Sequence, residues 1–296
     1  MNRRKLLKTI AAAGTGLGVM GSSGLAGAAG LLESGFDVQM FGSYFRQESE
    51  DDLQRQIKTY LKKVRSFDDH YTDDVFLGSE KLRMLRSVAS RLKRLQRVVG
   101  HGNFYLLDFD DALKISRRYS RVGKFTPKEL DFLEMIFYET AAPYGFFGEK
   151  PLKNLTDRIP RREVVKVRGT GNYLYRGEPV RMYKRIRRDV GPNVVLTSGV
   201  RSITKQFFLF LQKANATHGN LSQASRSLAP PGYSFHGIGD FDVGQRGFGY
   251  QNFTDRFVTT KIFKRLAELG YIRLRYPRDN MLGVRFEPWH IKVVST

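Results

Sequence analysis

Two stretches near the C-terminus place imidazoles among carboxylates: Ser234-Phe235-His236-Gly237-Ile238-Gly239-Asp240-Phe241-Asp242, and then Glu287-Pro288-Trp289-His290. Asp240 and Asp242 alternate, so along a strand they aim at the same face, with His236 just ahead of them. Two histidines and one carboxylate suit a divalent cation such as Zn2+ and leave a fourth position open for water, the arrangement of a catalytic rather than a structural site. Residues 166–296 carry 22 Lys and Arg but only eight Asp and Glu. So basic a segment repels a cation unless ligands are concentrated locally, as they are here. With no cysteine in the chain, disulfides, thiolate zinc sites, iron–sulfur clusters and a Cys nucleophile are excluded. His-Glu-x-x-His is absent. Ser202-Ile203-Thr204-Lys205 matches S-x-x-K, but the S-x-N and K-T-G companions of that serine mechanism are missing. Gly16-Leu17-Gly18-Val19-Met20-Gly21 matches a dinucleotide fingerprint without the strand and acidic residue it needs. A lone buried histidine is more often structural than a ligand, so His70, His101 and His218 stay unassigned.

Elements of two textures must position these groups. Leu53, Ile57, Tyr60, Leu61, Val64 and Phe67 recur at helical spacing, and so do Leu82, Leu85, Val88, Ala89, Leu92 and Leu95. Thr126-Pro127-Lys128-Glu129 is a capping box with Pro at the first helical position, opening a third helix through Phe132, Leu133, Ile136 and Phe137. Residues 34–165 therefore read as a mainly helical region. The basic run on the second helix, from Lys81 through Arg91 to Arg97, reads as a solvated face. Beyond residue 165 come short β-rich runs at 172–176, 193–198, 241–243, 272–276 and 284–294, with helices expected over 179–189, 202–216 and 254–269. The pattern predicts an α+β fold, a small antiparallel sheet with flanking helices preceded by a mainly helical region.

The 296 residues have a formal net charge of +21 and are 41% apolar, enough for a real core. Residues 33–165 are nearly balanced, with 24 basic and 21 acidic side chains. Almost all the excess sits in residues 166–296, so the two parts differ electrostatically. Asn2-Arg3-Arg4-Lys5-Leu6-Leu7-Lys8, followed by an uncharged Ala- and Gly-rich run over 9–32, resembles a twin-arginine export signal. Ala26-Gly27-Ala28 offers its small-x-small cleavage site. Residues 1–29 are thus expected to engage the twin-arginine translocase, and the rest to work outside the cytoplasm, in the periplasm or cell envelope. Nucleic acid is not an expected partner of an exported chain; an anionic wall polymer suits the charge.

Ser198-Gly199-Val200-Arg201-Ser202, residues 234–242 and Glu287-Pro288-Trp289-His290 occur in that order. Together they resemble the VanY-like zinc D-alanyl-D-alanine carboxypeptidases of the LAS metallopeptidase group. The resemblance covers residues 166–296 and implies the LAS or hedgehog-type fold, with peptidoglycan stem peptides as substrates. It implies that His236, Asp242 and His290 hold zinc, that Glu287 is the general base, and that Arg201 faces the substrate's carboxylate or carbonyl. The carboxylate follows His236 one residue sooner than in the family's pattern. Asp242, in its apolar-Asp-apolar strand, is the expected ligand; Asp240 remains the alternative, or a brace for a ligand. Among supporting residues, Ser234 is expected to cap or brace the turn carrying His236 and Trp289 to shape the site wall. Gln206, one helical turn beyond Ser202, reads either as a substrate contact or as solvated. The rival reading is a catalytically inactive chain or a non-enzymatic binder of an anionic wall polymer.

Overall fold

The computed structural model describes residues 50–293, so the expected export signal at 1–29 lies outside the described residues. The architecture is mixed: a helical N-terminal part, then a small antiparallel sheet with flanking helices, as the sequence pattern predicts. Four longer helices build the first part: α1 (Glu50–Arg65), α2 (Ser79–Val99), α3 (Phe109–Arg118) and α4 (Pro127–Tyr138). Helix α1 buries Leu53, Ile57, Tyr60 and Val64, and α2 buries Leu85, Val88, Leu92 and Leu95, the stripes their spacing demands. On α2, Arg83, Arg86, Lys93 and Arg97 face solvent, while Arg91 turns inward to Glu129 at 3.0 Å. The capping box of α4 forms reciprocally. Thr126 Oγ1 accepts from the Glu129 N–H at 3.3 Å, and the Thr126 N–H donates to Glu129 Oε2 at 2.8 Å.

The second part begins with a hairpin of β1 (Val164–Lys166) and β2 (Tyr173–Tyr175), followed by α5 (Glu178–Val190) and β3 (Val194–Ser198). Helices α6 (Ile203–Ala216) and α7 (Leu221–Ser227) lead to β4 (Phe241–Gln245), α8 (Lys261–Glu268) and β5 (His290–Ile291). Strands β3, β4 and β5 form one antiparallel sheet in that order, with β4 central. Its register sets Ser198 opposite Asp242 and Asp242 opposite His290.

Three expected elements differ. The helix over 254–269 divides into a 3-10 turn, Asp255–Thr259, and α8, because Thr260 interrupts it and caps α8 by accepting from the Phe263 N–H at 3.1 Å. No strand forms over 272–276, where Arg275 is drawn inside to a carboxylate and Pro277 follows. Of the run over 284–294, the described residues keep only the two strand residues of β5.

Besides a small cluster of Tyr105, Leu106, Val164, Tyr173 and Val200 at the β1–β2 hairpin, two larger hydrophobic clusters hold these elements. One, around the sheet, gathers Ile186, Leu196, Phe241, Val243, Leu266 and Ile291. The other extends from Leu53 to Val284 and takes in Phe207, Phe210 and Leu211 of α6 together with the helices of the first part. Each such buried side chain contributes about 1.5–3 kcal/mol. Helix α6, which starts at the Ser198-to-Ser202 loop, is therefore held by apolar contacts from the helical region, and so is the loop that it anchors.

Candidate metal centre

The Ser198-to-Ser202 loop leaves the end of β3 and passes against β2. A Cβ at position 199 would lie 1.9 Å from the Tyr173 carbonyl oxygen, so only glycine allows this approach. The Val200 N–H then donates to that same oxygen at 2.8 Å. Fixed in this way, the Gly199 carbonyl accepts from His236 Nδ1 at 2.8 Å, which leaves the lone pair of the ring on Nε2. Beyond the loop Ser202 caps α6, its Oγ accepting from the Lys205 N–H at 3.3 Å. The Lys205 ammonium instead lies over the Tyr105 and Phe208 rings, at 4.7 and 4.8 Å. Ser202 and Lys205 thus have structural duties, and burial together with the Arg201 charge lowers the lysine pKa to about 8.

Strand pairing brings the remaining groups together. His236, Asp242 and His290 each present a ligand atom, all within 4.8 Å of one another and all buried. His236 Nε2 lies 3.2 Å from Asp242 Oδ1, and His290 Nδ1 lies 3.4 Å from the same oxygen. Bonds of 2.0–2.1 Å around tetrahedral zinc put donor atoms roughly 3.3 Å apart. His236 Nε2 and Asp242 Oδ1 are buried without a hydrogen-bond partner. Two lone pairs facing each other in the interior are costly unless a cation sits between them, so this donor set fits a metal ion. Of these, His236 and His290 line a cavity with Arg201, Ser234, Tyr276 and Glu287 that holds about 20 Å³, room for one water-sized species.

Asp240 takes a different position from Asp242. His290 Nε2 donates to Asp240 Oδ2 at 3.0 Å, which fixes the ring and turns Nδ1 toward the cluster. The same oxygen receives Arg275 Nε at 2.6 Å, and Asp240 Oδ1 receives the Val293 N–H at 2.8 Å. Of the two aspartates, Asp242 joins the cluster and Asp240 braces a member of it. Burial alone raises the Asp240 pKa, but His290 and Arg275 reverse that and hold it well below the usual carboxylate range. His236 is pushed down by burial and by Arg201, so its imidazole is neutral and able to bind a metal.

Glu287 stands at the cavity, its Oε2 3.4 Å from His290 Nδ1. Arg201 also lines it but spends two donors inside the protein, Nε to Ser198 Oγ at 2.8 Å and Nη2 to Asp242 Oδ2 at 2.6 Å. Its Nη1 has no hydrogen-bond partner among the described residues. Gln206 is buried and holds the walls, Nε2 donating to the Arg201 carbonyl at 3.0 Å and Oε1 accepting from the Gly232 N–H at 2.8 Å. It is not solvated. Two supporting expectations need correction. The Ser234 side chain does not cap the 3-10 turn Phe235–Gly237; its carbonyl does the bracing, accepting from the Gly237 N–H at 3.0 Å. Trp289 does not line the cavity. It sits in the turn just before β5 and packs its indole into the sheet core against Phe253.

Sequence reasoning missed the roles of Tyr276 and Arg275. Tyr276 lines the cavity with its ring 5.4 Å from that of His290. Arg275 lies 3.4 Å over the Phe235 ring. Neither carries a local signal, because each acts through a partner far away in sequence.

A model of the VanY family, described as D-alanyl-D-alanine carboxypeptidase, matches residues 179–296. Among solved structures, the LdcB LD-carboxypeptidase is 23% identical, with a TM-score of 0.36; the match covers 42% of this chain and 60% of that one. The vancomycin-resistance D,D-pentapeptidase VanY, in complex with Zn(II), is also 23% identical with a TM-score of 0.36, over 48% of this chain and 85% of that one. VanYB in complex with D-alanine-D-alanine is 24% identical, over 48% and 84%, again at 0.36. No curated protein matches.

Proposed function

We propose, from the premise that residues 179–296 belong to the VanY family of D-alanyl-D-alanine carboxypeptidases, that this chain is a zinc-dependent peptidase of the cell wall. Its reaction is removal of the terminal D-alanine from peptidoglycan stem peptides. One observation carries the reading: two buried lone pairs, on His236 Nε2 and Asp242 Oδ1, face each other without partners beside a carboxylate, Glu287. When bound, zinc would polarise the scissile carbonyl and make a water more acidic.

His236, Asp242 and His290 hold the ion, and Asp240 keeps the His290 ring turned so that Nδ1 serves as its donor. Glu287 takes the proton from the attacking water and passes it to the leaving amine. Arg201, which lines the cavity, meets the C-terminal carboxylate of the peptide. The residues at 1–29 carry the chain out of the cytoplasm by the twin-arginine route.

Elemental analysis of the purified protein tests the reading, with His236→Ala beside it. We expect about one zinc per chain, absent from the variant, and release of D-alanine from a stem pentapeptide. No zinc in either protein after zinc is supplied rejects the peptidase. Zinc without turnover on any stem peptide instead leaves a wall-binding chain on an inherited fold.

A further inference from the structure

A second concavity opens beside the metal cavity. Tyr276 and Glu287 both line the metal cavity and are joined by the Glu287 N–H to Tyr276 carbonyl bond of 3.1 Å. Their chain neighbours Arg278, Arg285 and Phe286 line a groove of about 610 Å³. Its other wall comes from Tyr250 and Arg256, and from Arg65 and Phe67 at the end of α1. The helical region, outside the family match, thus contributes to a groove whose other lining residues neighbour those of the site along the chain.

The groove is charged and under-compensated. Four arginines line it against two carboxylates, Asp255 and Asp279. Asp279 is taken by Arg65, at 3.0 and 2.6 Å. Arg256, Arg278 and Arg285 make no ion pair among the described residues. Arg278 lies over the Phe286 ring at 4.4 Å, and Arg285 over Phe67 and Trp289 at 4.6 and 5.0 Å. Stacking fixes a guanidinium while leaving its edge donors available, and Arg285 Nε is indeed buried without a partner. Tyr250 leaves 78% of its surface exposed. A ring that is apolar on its face and polar at its tip suits the C–H face of a sugar.

We propose that this groove binds the carboxylate-bearing glycan and peptide strand of peptidoglycan while the peptide end occupies the metal cavity. The inference rests on the peptidase reading, because one strand must span both sites. It gives the helical region a task in substrate binding.

The test is co-sedimentation of the metal-free full chain with insoluble peptidoglycan stripped of phosphate-bearing polymers, over a range of salt. Binding should weaken as salt rises. Joint replacement Arg256→Gln and Arg278→Gln should lower affinity about tenfold and flatten the salt dependence. Tyr250→Ala should lower it about threefold. All three side chains are exposed, and circular dichroism checks that each variant folds. Amidating the carboxyl groups of the polymer should reproduce the loss. The groove is rejected if the double variant binds like the parent, or if the parent binds phosphodiester polymers or nucleic acid but not the stripped strand. Hydrolysis of a short stem peptide by zinc-loaded protein separates the two readings. Strand binding without hydrolysis sinks the peptidase alone, and hydrolysis with an unaffected double variant sinks the groove alone.

Discussion

Two of the buried carboxylate networks among the described residues are built in opposite ways. Asp74, between α1 and α2, receives Arg226 Nη1 at 2.6 Å on Oδ1. Its Oδ2 takes Asn220 Nδ2 at 2.7 Å, Arg226 Nη2 at 3.0 Å and the Tyr71 N–H at 3.2 Å. Asp242 has Arg201 on one oxygen and leaves the other bare, facing a bare imidazole nitrogen. A buried charge with both oxygens matched ties segments together; one with a bare oxygen points to a missing ligand. The first network fastens α7 to the helical region, and the second marks the site.

If that contrast is right, the largest effect falls on turnover and leaves the fold alone. Glu287→Gln should lower D-alanine release by about 10²- to 10⁴-fold, the usual contribution of a general base. Zinc content, measured on the same preparation, should not change. Turnover close to that of the parent would remove Glu287 from the reaction.

The converse holds at Asp74. Asp74→Ala leaves Arg226 buried and uncompensated, which costs about 3–5 kcal/mol and should appear in urea unfolding with zinc content intact. Burial works to raise the Asp74 pKa, but bonds from Arg226 and Asn220 more than offset it, so the folded value is depressed. Its stabilisation is therefore complete above the unfolded value of about 3.9 and is lost as pH falls through the lower, folded value. Asp74→Asn should flatten the fall in stability over that acid range. A variant whose acid profile matched the parent's would break the contrast from the structural side.

Asp240 belongs to both classes, since all its bonds are internal yet one of them orients His290. Asp240→Asn should weaken zinc binding about 10- to 100-fold, read by competition with a chelator, with the melting temperature recorded in parallel. Unchanged affinity would make Asp240 a purely structural partner of Arg275.

How much of this could be read from sequence follows the same division. His236, Asp242, His290 and Glu287 were legible because chemistry restricts both residue type and order. The stripes of α1 and α2 and the capping box of α4 were legible from local period and chemistry. Arg275 and Tyr276 were not, since their run reads as a strand and only tertiary closure onto Asp240 and His290 gives them roles. Helix α7 was missed for a related reason: residues 221–227 are buried on all sides, so no polar face alternates with an apolar one. The Arg226–Asp74 bond spans 152 positions, and nothing local announces it.

Glu129 is a further buried carboxylate, and it sharpens the contrast with the smallest expected effect. Its Oε2 accepts from the Thr126 N–H at 2.8 Å, while Oε1 accepts from Ser87 at 2.5 Å and Arg91 at 3.0 Å. Both oxygens are matched, which assigns it to structure. Thr126→Ala removes the hydroxyl that accepts from the Glu129 N–H but leaves the carboxylate's own bonds. The loss should be that of one helix cap, about 1 kcal/mol, in unfolding experiments at neutral pH. Zinc content and D-alanine release should match the parent, because α4 supplies no residue to the cavity. A loss several times larger would mean that the cap also holds Glu129 on α2, making the box one unit with the Arg91 pair.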